Sequence, residues 1–194
     1  MNIKKKSTRR QLLKAGLGGI ALASAPAFIR SVKAAADFKI GLFIPLSGPA
    51  ALFGPSAKNC GELAIDMVNE SGGVLGRKAK LYIADAGVPP AEAAKSAMRL
   101  MLSEKVDLIV GNHDSAVRQA IVGAVKGRVP YVYSPVYEGG ECSSNVFMLG
   151  ETPQQQLKPT ISHFAETKNV KSYYLIGNDY VWPRVTNKLA KDYI

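Results

Sequence analysis

From residue 38 to residue 133 short apolar runs alternate with longer amphipathic stretches, and this alternation restricts the possible folds more than any other feature. Residues 38–44 are almost continuously apolar and end at Pro45, as expected of a strand buried on both faces. Residues 56–70 then read as a helix with Ala57, Cys60, Leu63, Ala64, Met67 and Val68 on its core side, stopped by Gly72 and Gly73. The pattern repeats with strands at 80–84, 107–110 and 129–133, and with helices at 90–104 and 115–126. Strands of this length alternating with helices predict βαβ units, hence an α/β fold with a parallel, Rossmann-like sheet. Such a sheet presents its ligand loops at the carboxyl ends of its strands, here 45–54, 111–115 and 134–141.

The pattern restarts at Asn145: a short strand at Phe147 and Met148, a helix over 153–167, a strand over 172–176 and a helix after Pro183. This is the beginning of a second sheet without the strands to complete it. The expected organisation is therefore a complete first lobe over 37–142 and the start of a second over 143–194.

Residues 1–36 have another character. They carry eight Lys or Arg and no Asp or Glu, a run of apolar and small residues over 15–29, and Ala34-Ala35-Ala36 in an A-x-A cleavage pattern. That combination predicts a secretory leader, too poor in strongly apolar residues for a membrane-spanning helix. Ser7-Thr8-Arg9-Arg10-Gln11-Leu12-Leu13-Lys14 resembles the twin-arginine export signal, which implies delivery of a folded protein to the periplasm. The leader also accounts for most of the formal charge of +10, because the rest of the chain holds 17 basic residues against 15 acidic ones. No nucleic-acid partner is expected of such a body.

Cys60 and Cys142 are the only cysteines, and two separate thiols are expected, although pairing after export stays open. With histidine only at His113 and His163, no metal and no cofactor is expected. His113-Asp114-Ser115 contains the residue types of a catalytic triad, but neighbouring side chains diverge. Asp114 or Ser115 is better read as the cap of the third helix. Gly72 to Arg77 follows a helix and precedes a strand, the reverse of a phosphate loop. Tyr131, Tyr133 and Tyr137, with Tyr180 and Trp182 further on, lie at strand ends, where they suit either core or pocket wall.

Two stretches carry a family resemblance. Ile40-Gly41-Leu42-Phe43-Ile44-Pro45-Leu46-Ser47-Gly48-Pro49, with Asn69-Glu70-Ser71-Gly72-Gly73-Val74-Leu75-Gly76, resembles the opening of type I periplasmic solute-binding proteins of the branched-chain amino acid class. Tyr137-Glu138-Gly139 with Ser144-Asn145, and Asn178-Asp179-Tyr180-Val181-Trp182-Pro183-Arg184 with Asn187, is similar to its amide and urea branch. The resemblance covers 38–194 and implies the type I periplasmic binding fold, a small polar solute (branched-chain amino acid, short amide or urea) and an inner-membrane ABC permease as partner. It maps the family's ligand hydroxyl to Ser115 and the neighbouring strand-end position to His113. The fourth-strand wall maps to Tyr133, Pro135 and Val136, the closing aromatic to Tyr180, and the first-loop contact to Phe53 or Ser47. An amino acid ligand would also need an anion for its ammonium, from Asp179, Glu138 or the rest of the second lobe.

The expected function is thus capture of a solute between two lobes for ABC transport, not catalysis, since no base and nucleophile stand at workable spacing. The alternatives are an amide-sensing regulator of the aliphatic amidase type, which the leader disfavours, and a non-functional truncated remnant.

Overall fold

The computed structural model describes residues 36–111 and 114–194. Five parallel strands, β1 Phe38–Ile44, β2 Ala79–Asp85, β3 Leu108–Gly111, β4 Tyr131–Tyr133 and β5 Val146–Met148, form one sheet. Their spatial order is β2-β1-β3-β4-β5. The connections are helical: α1 Gly54–Glu70, α2 Pro90–Arg99 prolonged by a π-helical turn at Leu100–Glu104, and α3 Ser115–Val125. After β5 come α4 Pro153–Lys168 and α5 Val181–Tyr193. The α/β parallel sheet expected from the alternation is what the chain forms.

One face of the sheet is closed by α2 and α3. Phe43, Ile109, Tyr131 and Tyr133 from the strands and Ala93, Ala97, Leu100, Val117 and Ile121 from the helices are buried in a single apolar cluster. Gly111 makes room for it, because a Cβ there would lie 2.3 Å from the Tyr131 hydroxyl. The other face is covered over β1 and β2 by α1. Gly61 allows this close approach, since a Cβ on it would fall 2.6 Å from Leu42 Cδ2.

Three sequence expectations change here. Gly61 brings the side of α1 bearing Ala57, Gly61, Ile65 and Val68 onto the sheet, and so Leu63 and Met67, expected in the core, are 60% and 59% exposed. Cys60 is likewise exposed. The short strand expected to open the second lobe is instead the fifth strand of the first sheet, with Val132 paired to Phe147. It is drawn there because β4 offers an unpaired parallel edge. Residues 172–176, expected as a strand, form none: Tyr174 and Ile176 are 89% and 84% exposed, and no described strand lies alongside to complete a ladder.

Candidate functional site

In a sheet ordered 2-1-3-4-5 the chain leaves β1 toward one side and returns through β3 on the other, so a crevice opens at the carboxyl ends of β1 and β3. A groove of 730 Å³ lies at that point. Ile44 and Pro45 reach it from β1 and the loop after it, Phe53 and Ser56 from the start of α1, Asp114 from the start of α3, and Ser134 and Pro135 from the end of β4. Tyr180, just before α5, faces them. The rest of the lining is apolar, with Leu42 and Val110 from the sheet and Ala57, Cys60 and Gly61 from α1.

Each rim element is held by its own local chemistry. Asp114 caps α3, its carboxylate accepting from the Val117 N–H at 2.9 Å, as the favoured reading of His113-Asp114-Ser115 anticipated. The loop after β1 is fixed by Asp85 at the end of β2. One oxygen of that carboxylate accepts from the N–H groups of Leu46 at 2.9 Å, Ser47 at 3.2 Å and Gly87 at 2.7 Å. Burial raises its pKa, but hydrogen bonds from the Ser47 hydroxyl and these three N–H groups outweigh burial and leave it below the usual carboxylate value.

At the start of α3, against the loop that follows β4, lies a buried charged cluster. Arg118, 3% exposed, donates to Glu138 from Nη2 at 2.6 Å and to Glu141 from Nη1. Its guanidinium sits 5.6 Å and 5.7 Å from the ring centres of Tyr133 and Tyr137. Ser115 Oγ donates to Glu138 Oε2 at 2.7 Å, and Gln119 Nε2 donates to Glu138 Oε1 at 3.1 Å. Burial pushes the Glu141 carboxyl up, but hydrogen bonds from Ser143 and the Arg118 cation bring it below its ordinary value. Burial raises the Tyr133 phenol, with Asp114 and Glu138 adding to the rise and Ser115 and Arg118 opposing it. Tyr180 is raised by burial and then by the Asp114 and Glu138 carboxylates.

The structure gathers three of the residues expected at the site, Phe53, Pro135 and Tyr180, around one groove. Val136 is half-buried in the same loop as Pro135 and is absent from the groove lining. Ser115 and Tyr133 are 1% exposed, are absent from the groove lining and belong to the charged cluster. His113 is outside the described residues. Sequence reasoning missed Asp85, Arg118, Glu141 and Ser134. The signal it had was Glu138-Gly139-Gly140-Glu141, two carboxylates around a flexible turn with an arginine on the preceding helix.

A profile described as periplasmic binding protein matches residues 37–194. The chain belongs to the periplasmic binding protein family. It is 39% identical over 149 residues to Leu/Ile/Val-binding protein homolog 7 of Brucella suis biovar 1, a match covering 76% of this chain and 36% of the relative. The family member from Streptococcus pneumoniae named LivJ, a branched-chain amino acid transporter substrate binding protein solved with isoleucine, has a TM-score of 0.57 at 25% identity. It is covered over 39% of its length by 69% of this chain. A solute binding protein of an ABC transporter from R. palustris, solved with benzoate, shares the fold at a TM-score of 0.66 and 21% identity, over 81% of this chain and 44% of that one. The chain thus spans less than half the length of these family members.

Proposed function

We propose that this chain carries the first lobe, and the beginning of the second, of an extracytoplasmic solute-binding component of an ABC transporter. The leader over 1–36 would direct export by the twin-arginine route, and an inner-membrane permease would receive the loaded form. The observation that carries this reading is the groove at the strand-order switch point, with rim residues of the first lobe on one side and Tyr180 of the later segment opposite. A second lobe closing over that groove would trap a solute between Phe53, Pro135 and Val136 on one wall and Tyr180 on the other. His113 would join the site by its place in the sequence between β3 and α3, and Ser115 and Tyr133 would act through the cluster that holds the 134–141 loop.

The lining favours one kind of solute. It contains no Lys or Arg among the described residues, and the guanidinium of Arg118 in the neighbouring cluster already serves two carboxylates. A solute with a net negative charge, such as benzoate, meets no cation in this wall. A short amide or urea, or a branched-chain amino acid whose ammonium meets the carboxylates near Tyr180, fits it better.

The test is a calorimetric titration of a two-lobed chimera, residues 37–194 completed by the C-terminal part of the Brucella suis relative, with acetamide, urea, leucine and benzoate. Binding of an amide, urea or leucine, weakened about tenfold or more by Tyr180→Ala, supports the proposal, a loss of ~1.4 kcal/mol being ordinary for one aromatic contact. Equal affinity in the Tyr180→Ala chimera, or a preference for benzoate, would remove it.

A further inference from the structure

We infer that Arg118 is the positioning residue of the cleft wall: it fastens the 134–141 loop to α3 by gripping Glu138 and Glu141 at once. The loop follows β4 directly and supplies Ser134 and Pro135 to the groove, so where the loop sits determines the width of the site. It has no regular structure of its own. Its backbone is tied at its start and middle, Ser134 N–H to Gly111 C=O at 3.2 Å and Tyr137 N–H to Glu151 C=O at 3.2 Å. Between residues 137 and 142 the ties to α3 are Ser115 and Gln119 on Glu138 and, joining Glu138 to Glu141, the one guanidinium.

The sequence is built for that grip. Arg118 lies three residues after Ser115 on α3, which puts both on the same side of the helix and under the same loop. Gly139 and Gly140 stand between the two glutamates with φ of 87° and 75°, a backbone course that residues with a Cβ rarely adopt. That turn lets Glu138 and Glu141 approach different nitrogens of one planar fork. The flat cation also lies against the Tyr133 and Tyr137 rings, Tyr133 belonging to β4 and Tyr137 to the loop. Strand, helix and loop therefore meet at one side chain. A lysine has a single ammonium and no flat face, so it cannot hold two carboxylates and two rings in this way.

The titratable groups facing Arg118 are Glu138 and Glu141 from the loop, Asp114 from the start of α3, and Tyr131, Tyr133 and Tyr137. Without the cation, Glu138 and Glu141 would be two buried like charges, and the Glu141 carboxyl pKa would rise. A raised folded-state value means stability lost as pH increases through it, a slope that the wild-type cluster, with Glu141 already lowered, does not have above pH 5.

The inference rests on reading the groove as a solute site, but its test does not need a solute. The 194-residue chain is compared as wild type, Arg118→Lys and Arg118→Met, with hydrogen exchange followed by residue and urea unfolding measured at pH 5 and pH 7.5. Exchange in 134–143 is expected to quicken at least tenfold in both variants while β1 and β3 keep their protection. Arg118→Met is expected to be less stable at pH 7.5 than at pH 5, and Arg118→Met with Glu141→Gln to lose that slope. Should Arg118→Met fail to fold, Arg118→Lys alone decides by the exchange of the loop. Loop exchange equal to wild type in Arg118→Lys, or a uniform rise over the whole sheet, would overturn the positioning role. Failure of the chimera to bind any solute would instead count against the functional reading and leave the exchange result standing.

Discussion

At Asp85 a single carboxylate oxygen receives three backbone N–H groups, and through them the first-strand loop is set at the rim of the groove. Its folded-state pKa is lowered, so its contribution to stability is complete above about pH 4 and is lost as pH falls through the lower folded value. Asp85→Asn should reduce the urea midpoint at pH 7 and flatten the decline between pH 5 and pH 3, both readable from denaturation curves across that range. Gly111→Ala should cost about 1–3 kcal/mol in the same assay, because the new methyl meets the buried Tyr131 hydroxyl. Only part of this was legible in the sequence. The Asp114 cap could be read because capping acts within three residues. The Asp85 and Arg118 contacts join residues 20 to 39 positions apart and depend on which strands are neighbours, which no local pattern encodes.

Strands β1 to β4 were legible because burial on both faces demands uninterrupted apolar runs. The same rule misreads residues 172–176: the run is apolar, but a strand exists only beside another, and none is described there. Limited proteolysis of the 194-residue chain should therefore cut within 169–180 well before it cuts within β1 to β4; equal resistance would mean that the exposed run is covered, for example by a second copy. The side of α1 was misjudged for a different reason. Hydropathy favours Leu63 and Met67, but helix-to-strand distance favours Gly61, and the close contact decides which side turns inward. Leu63→Lys should change stability by no more than about 0.5 kcal/mol, whereas Ile65→Ala should cost more, as thermal melts would show.

For the whole molecule, one consequence follows from a groove with one full wall and another from the leader. Residues 1–194 alone should bind any of the candidate solutes at millimolar strength or weaker, since half the contacts must still meet the whole entropic cost of association. Fusion of residues 1–40 to a reporter should place it in the periplasm, and Arg9→Lys with Arg10→Lys should stop this if the twin-arginine route is used. Retention of export in the double variant would point to an ordinary secretory leader. The measurement that bears most directly on the functional proposal is solute-dependent hydrogen exchange in the two-lobed chimera. Saturating solute should slow exchange together in the 45–54, 134–141 and 178–184 segments, the three that border the groove. Protection confined to other segments, or no protection despite calorimetric binding, would contradict a solute held at the ends of β1, β3 and β4.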